Sequence, residues 1–312
     1  MSKIKLSDYI AKRLKEVHHV DHFFMVSGGG AMHLNDSLGR YLSYTANHHE
    51  QACAIAAEGY ARINQRLAVV NVTTGPGGLN CLNGVFGEWT DSVPVLYISG
   101  QVKYSTTMES CKNIHLRQLG DQEVDIISVV SPLTKYAKMV IDPTEIKYHL
   151  DRAIYEATSG RKGPVWLDIP MNVQSALIEE DDLKEFITPS KSVYDLKINS
   201  VIEKLKTAKR PLLVCGHGIR LAGQKNELLS LLDNTDIPVV TTFNGVDLIP
   251  TEHKNFCGRI GTVGQRAGNF TLQNADLIIF LGTRNNIRQI SYNWENFAKN
   301  AYKIVVDIDE EE

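Results

Sequence analysis

Apolar residues recur along this chain at two spacings. Near the N-terminus Leu6, Ile10, Leu14 and Val17 repeat at helical intervals between polar residues, which predicts an amphipathic helix. Phe23-Phe24-Met25-Val26 is a short continuous apolar run and reads as a buried strand. Ser27-Gly28-Gly29-Gly30 follows it, and then a helix is expected from Ala31 to Leu38. A second helix is expected over Glu50 to Ile63, where Ala52, Ala54, Ala56, Ala57 and Ala61 permit close packing. Leu67 to Val72, Pro94 to Ser99 and Pro164 to Ile169 read as further strands. Between the last two, Pro143 to Thr158 reads as a helix, with proline near its start and Gly160 beyond its end. Such strand–helix alternation predicts a parallel sheet covered by helices on both faces.

The alternation weakens after Pro170, and residues 176–196 mix acidic and basic side chains with Pro189 and Ser190, as a linker would. It then resumes, with strands expected at Pro211 to Cys215, Ile237 to Thr242, Ala275 to Gly282 and Tyr302 to Ile308, and a helix at Gln224 to Leu232. The fold class expected is α/β, as two doubly wound domains with mainly parallel sheets flanked by helices. Their expected bounds are 1–180 and 196–312, joined by a linker over 181–195. A length of 312 residues agrees, at roughly 150 residues per domain.

Composition narrows the function classes. The chain is 43% hydrophobic and 22% charged, which excludes wholesale disorder. With 33 basic and 36 acidic residues the net charge is −3, so neither nucleic acid nor an anionic membrane is an expected partner. Apolar runs such as Leu277-Ile278-Ile279-Phe280-Leu281 are strand-sized, far short of the roughly 20 residues that span a bilayer. The N-terminus carries no signal-peptide pattern. Cysteines stand at 53, 81, 111, 215 and 257 with no CxxC pair, so each is expected to be a small buried hydrophobe and the location cytoplasmic.

Two constellations could carry chemistry. In Asn47-His48-His49-Glu50-Gln51-Ala52, Glu50 opens the alanine-rich helix. It reads either as a first-turn acid favoured by the helix dipole or as a carboxylate aimed into a cleft at a strand end. His48 and His49 are adjacent and point different ways, so they cannot simply chelate one metal. In Thr73-Thr74-Gly75-Pro76-Gly77-Gly78-Leu79-Asn80, glycines after a strand let a ligand approach the backbone. The segment is neither a phosphate loop nor GxGxxG. Ser27-Gly28-Gly29-Gly30 and Cys215-Gly216-His217-Gly218 are weaker turns of the same kind.

Read in order, HHEQACAIAAEGYAR, TTGPGGLN, WTDSVPVLYISGQV, LGDQEVDIISVVSPLTKYAKMV and GRKGPVWLDIPMNVQ resemble the thiamine-diphosphate-dependent acetolactate-synthase-like family, in its pyrimidine-binding domain. RPLLVCGHGIR, IPVVTTFNGVDLIP, GRIGTVGQ, NADLIIFLGTRNN and KIVVDID resemble its central domain. The resemblance implies a lyase or transferase that decarboxylates a 2-oxo acid, pyruvate foremost, and ligates the fragment to an acceptor. It implies that Glu50 hydrogen-bonds a pyrimidine nitrogen of thiamine diphosphate and so promotes loss of the thiazolium C2 proton. Gly28 and Gly29 match the small-residue turn beside the reacting centre, although Ser27 stands where many relatives carry proline. Asn80 matches a position on the pyrimidine side, and Gln122 a glutamine facing the substrate. Asp121 departs from the pattern, standing where the synthases carry an aromatic residue. In the central domain Gly282 and Arg284, with Gly216, Gly218 and Thr283, are positioned for FAD, a vestigial site being the other reading.

The family holds the diphosphate through Mg²⁺ on a Gly-Asp-Gly…Asn motif in a C-terminal domain, and that motif does not occur here. No metal ligand is therefore expected in this chain. The alternatives are a fragment of a longer enzyme, one subunit of a split enzyme, or a catalytically inactive nucleotide-binding or regulatory subunit on the same scaffold. The first two imply activity only with the missing domain. They also imply a partner: a homodimer, a homotetramer, or a separate C-terminal-domain subunit.

Overall fold

The apolar runs become the inner strands of two parallel sheets, one in each of two units, Met1–Ser190 and Lys191–Glu312. The computed structural model describes residues 3–311 apart from 112, 113, 115, 191–193 and 195, so part of the expected linker lies outside the described residues.

The first unit begins with β1 (Ile4–Lys5), α1 (Leu6–Glu16), β2 (His22–Met25), α2 (Met32–Tyr41), β3 (Ser43–Ala46), α3 (Glu50–Asn64) and β4 (Ala68–Val72). It continues with α4 (Pro76–Leu79), α5 (Leu82–Asp91), β5 (Val95–Gln101), α6 (Ile126–Val130), β6 (Tyr136–Met139), α7 (Ile146–Thr158), β7 (Val165–Pro170), α8 (Met171–Gln174) and β8 (Leu177–Ile178). Six strands form a sheet in the order β3-β2-β4-β5-β7-β6, every pair parallel. β1 and β8 make a separate antiparallel ladder, Ile4 opposite Ile178.

Every residue of β4, β5 and β7 is buried, because helices cover both faces. Alternate side chains feed two cores. Phe23, Val69, Leu96 and Leu167 pack with α1, α2 and α7, while Phe24, Val70, Tyr97 and Trp166 pack with α3 and α5. Each buried side chain of this size contributes about 1.5–3 kcal/mol. The chain turns one way from β2 to β3 and returns past β2 to β4, so the strand order reverses between β2 and β4. In doubly wound sheets ligands bind outside the carboxyl ends at such a reversal. The two glycine turns, 27–30 and 73–78, lie at that edge.

The second unit runs α9 (Ile198–Thr207), β9 (Pro211–Cys215), α10 (Gly218–Leu221), α11 (Lys225–Asp233), β10 (Val239–Thr241), β11 (Phe256–Arg259), α12 (Arg266–Asn274), β12 (Leu277–Leu281), α13 (Ile287–Ile290) and β13 (Tyr302–Val306). Its sheet, β11-β10-β9-β12-β13, is wholly parallel and reverses between β9 and β12. The α/β class and the parallel sheets are as expected.

The structure adds helices that the apolar pattern does not predict, α5, α9 and α12 among them, and strands at the sheet edges. β3, β6 and β11 were not anticipated, being four-residue strands without apolar runs, and β3 is exposed throughout. Val17 is not on the buried stripe of α1: the helix ends at Glu16 and Val17 is 49% exposed. Gly29–Ala31 is a 3-10 turn, so α2 starts only at Met32.

The position of α3 depends on its contact with α5. A Cβ added to Gly84 would stand 2.3 Å from Ala54 Cβ, so the two helices touch where Gly84 has no side chain. Gly84→Val is expected to push α5 off α3 and to lower stability by about 1–3 kcal/mol, read as a fall in the urea midpoint. An unchanged midpoint would mean that the helices can part freely.

Candidate functional site

Glu50 is the first residue of α3, and the local sequence fixes it there. His49 is the N-cap, its Nδ1 accepting from the Gln51 N–H at 3.1 Å. The Asn47 N–H bonds the Met25 carbonyl at 2.9 Å, tying the entry of α3 to the end of β2. A carboxylate at this helix position is stabilised by the free N–H groups and the dipole.

The Asn80 amide donates to Glu50 Oε2 at 2.9 Å. Glu50 Oε1 lies beside the second glycine turn, 3.7 Å from where a Cβ on Gly77 would stand. One oxygen is thus held by a neutral donor, and the other faces bare backbone. Cys81, which caps α5, adds a weak contact to the Glu50 carbonyl at 3.7 Å. Burial pushes the Cys53 thiol up to about 11 and raises Cys81 well above the ordinary thiol range, so neither is a nucleophile.

The two glycine turns meet back to back. A Cβ on Gly28 would stand 2.4 Å from Thr73 Cβ, and the Gly30 N–H donates to Thr73 Oγ1 at 3.0 Å. Gly29 meets nothing within 4 Å, so the protein's own packing does not require its missing side chain. Gly75 has φ +59°, and a Cβ there would stand 1.9 Å from the Gln122 carbonyl oxygen. Gln122 itself has φ +58° and an exposed side chain. Gly28, Gly29, Glu50, Asn80 and the backbone of Gln122 therefore gather round the two turns.

Sequence reasoning missed the polar layer beneath. Thr74 Oγ1 donates to Gln101 Oε1 at 2.5 Å, and Gln101 Nε2 donates to Asp168 Oδ2 at 3.0 Å. Ser99 Oγ donates to Asp168 Oδ1 at 2.6 Å and accepts from Trp166 Nε1 at 2.8 Å. The available signal was a lone acid in an otherwise apolar strand, Val165-Trp166-Leu167-Asp168-Ile169. Burial pushes the Asp168 carboxyl up from 3.8 to about 7, against the Ser99 and Gln101 hydrogen bonds, which lower it.

In the second unit the reversal point is packed backbone on backbone. A Cβ on Gly216 would stand 2.2 Å from the Gly282 carbonyl oxygen, and the Gly218 N–H donates to that oxygen at 2.9 Å. Gly282, with φ +57°, is thus required by its own neighbours. Arg284 is exposed. At and just beyond the carboxyl ends of the strands Thr241 Oγ1, Arg259 Nε, Asn285 Oδ1 and Gln289 Oε1 are buried without hydrogen-bond partners. Among the described residues no group of three or more His, Cys, Asp or Glu is placed to hold a metal. No helix among them is long and apolar enough to cross a membrane.

Comparison with known proteins bears on both units. Residues 4–129 match the N-terminal TPP binding domain of thiamine pyrophosphate enzymes, and residues 198–312 match their central domain. The chain is 32% identical to an acetolactate synthase large subunit of Lactococcus lactis, over 99% of this chain and 54% of that protein. It is 33% identical to the Corynebacterium glutamicum large subunit, over 96% and 47% respectively. A probable large subunit from Methanocaldococcus jannaschii gives 31%, over 98% and 51%. The chain spans about half the length of the curated relatives it matches.

A carboxyl whose folded pKa lies above its unfolded value binds more protons folded than unfolded between the two, so its contribution to stability falls as pH rises through that window. For Asp168 the window runs from 3.8 to about 7. The stability of wild type minus that of Asp168→Asn is expected to fall by on the order of a few kcal/mol between about pH 4 and about pH 8, read by urea unfolding. A constant difference would return Asp168 to the ordinary aspartate range.

Proposed function

The chain belongs to the thiamine pyrophosphate enzyme family, and we propose that it is the pyrimidine-binding and central part of an acetolactate-synthase-like enzyme. That enzyme decarboxylates a 2-oxo acid, pyruvate foremost, and ligates the fragment to an acceptor. The observation that carries this reading is the Glu50 carboxylate, held on one oxygen by Asn80 and open on the other beside Gly77. A flat heteroaromatic ring needs this arrangement: an acceptor fixed in direction, bordered by backbone without side chains.

Thiamine diphosphate (thiamine pyrophosphate) fits these residues and, when bound, supplies the electron sink for decarboxylation. Glu50 Oε1 would hold the ring nitrogen and keep or release a proton there, while the Asn80 amide stops the carboxylate from rotating. Gly29 would keep the space beside the reacting centre clear, while Gly28 lets its turn pack on Thr73. The exposed amide of Gln122 would bind the oxygens of a 2-oxo acid. The diphosphate and its Mg²⁺ are assigned to a complementary domain or subunit, since this sequence has no Gly-Asp-Gly…Asn motif. The working form would then be an oligomer or a two-chain complex in the cytoplasm.

A second reading, a nucleotide-binding or regulatory subunit, draws on the central domain. Thr241, Arg259, Asn285 and Gln289 leave buried polar atoms without partners at the carboxyl edge, and each such group costs about 1–3 kcal/mol unless it is satisfied. FAD or another nucleotide would satisfy them. Gly282 would then line the ligand only through its backbone.

Calorimetric titration with thiamine diphosphate and Mg²⁺, with the complementary domain added, is expected to show binding that Glu50→Gln weakens. Turnover of pyruvate in that complex is expected to fall by about 10²–10⁴-fold in Glu50→Gln, and by about 10–100-fold in Asn80→Ala. Full turnover by Glu50→Gln would sink the enzymatic reading. FAD or ADP binding without any thiamine diphosphate binding would favour the second.

A further inference from the structure

Gln101 closes β5 with a fully used side-chain amide. Its Oε1 accepts from Thr74 Oγ1 at 2.5 Å and from the Val102 N–H at 2.9 Å. Its Nε2 donates to the Val124 carbonyl at 3.1 Å and to Asp168 Oδ2 at 3.0 Å. The orientation of the amide follows from these partners. Turned over, it would set Nε2 against the Val102 N–H and Oε1 against the Val124 carbonyl, losing at least those two bonds. Gln101 is 1% exposed and Asp168 fully buried, so no water takes over those contacts at a small cost.

The four partners belong to different parts of the site. Thr74 is in the glycine turn whose Gly77 borders Glu50 Oε1. Val124 follows Gln122, whose carbonyl rests on Gly75 of the same turn. Glu123, between them, accepts from the backbone N–H groups of Met108 at 2.5 Å and of Leu119 and Gly120, both at 3.2 Å. Holding Val124 therefore holds the Glu123-centred loop. Asp168 is fixed in turn by Ser99, and Ser99 by the Trp166 indole. Trp166 stacks on Tyr97 at 4.7 Å. The far end of the relay is thus rigid core.

We propose that Gln101 is a positioning residue, braced by Asp168, that ties the Thr74–Gly78 turn and the Gln122 loop into one unit and so sets the separation of Glu50 and Gln122. Its value for catalysis rests on the thiamine diphosphate reading, but the tie itself does not. Direction is part of the device. Donors run from Thr74 into Gln101, and from Gln101 out to Val124 and Asp168, so neither segment can shift without breaking a buried bond.

The test is amide hydrogen exchange on the 312-residue chain without cofactor, for wild type, Gln101→Met, Gln101→Glu and the double variant Gln101→Glu/Asp168→Asn. In Gln101→Met, peptides covering 73–80 and 119–126 are expected to exchange at least about tenfold faster together. Strand peptides covering 95–99 and 165–169 should keep their wild-type protection. Gln101→Glu alone removes the donor to Val124 and sets two carboxyls side by side, so in exchange run above about pH 8, where both ionise, it should loosen both segments. The double variant restores a donor–acceptor pair between the two positions and an acceptor for Thr74, but supplies no donor for Val124. Protection should then return to 73–80 and not to 119–126, a split that general destabilisation cannot produce. Wild-type exchange in Gln101→Met, loosening of the strands together with the segments, or a double variant that restores both segments or neither would overturn the proposal. Because no ligand is present, failure of the tie and failure of the thiamine diphosphate reading would be seen separately.

Discussion

At the carboxyl edge of the first sheet, backbone must approach backbone more closely than side chains allow. A Cβ on Gly100 would stand 2.1 Å from the Gly30 carbonyl oxygen and 2.6 Å from Ala31 Cα. The turn after β2 therefore lies directly over β5, and Gln174 clasps it by donating to both Gly30 and Ile169 carbonyls at 2.7 Å. Gly28 then comes against Thr73, which places the second turn, and Gly77 of that turn comes against Glu50. Each contact sets the next. The carboxylate is located both by its own bonds, above all that from Asn80, and by this stack of turns beside it.

That stack explains what the sequence discloses and what it conceals. The place of Glu50 at the start of a helix is legible because that pattern is local in the chain, whereas its meeting with Gly77 and Asn80 is made only by folding. The inner strands are legible because helices on both faces make them continuously apolar. β3 and β6 are not, since edge strands have one free side and are written in residues such as Ser43, Thr45 and Lys138. Gln101 is concealed for a different reason. Its four partners come from Thr74, Val102, Val124 and Asp168, and only folding brings three of those segments to one amide.

Glycine illustrates the same division. Gly28 and Gly29 are neighbours in the sequence and look equivalent there. In the fold Gly28 is demanded by Thr73, while Gly29 is demanded by nothing in the chain. Gly282, picked out for a ligand, is accounted for by Gly216 and Gly218. A missing side chain can point to a ligand only when the protein leaves the space empty, and that condition excludes Gly28 and Gly282 and leaves Gly29, which is exposed.

Both carboxyl edges carry buried polar atoms without partners: Asn35 Oδ1, Asn47 Oδ1 and Gln174 Oε1 at the first, and atoms of Thr241, Arg259, Asn285 and Gln289 at the second. Beneath the first, Thr74, Gln101, Ser99 and Asp168 are joined in one network, and in such a layer of low dielectric each satisfied bond stiffens the next. A saturated layer can serve as a fixed template, because moving any member strands another. An unsaturated layer stores free energy that a polar ligand could release. The network beneath the first edge therefore holds the glycine turn in one geometry, and the unpartnered atoms at both edges mark where a polar group would gain most.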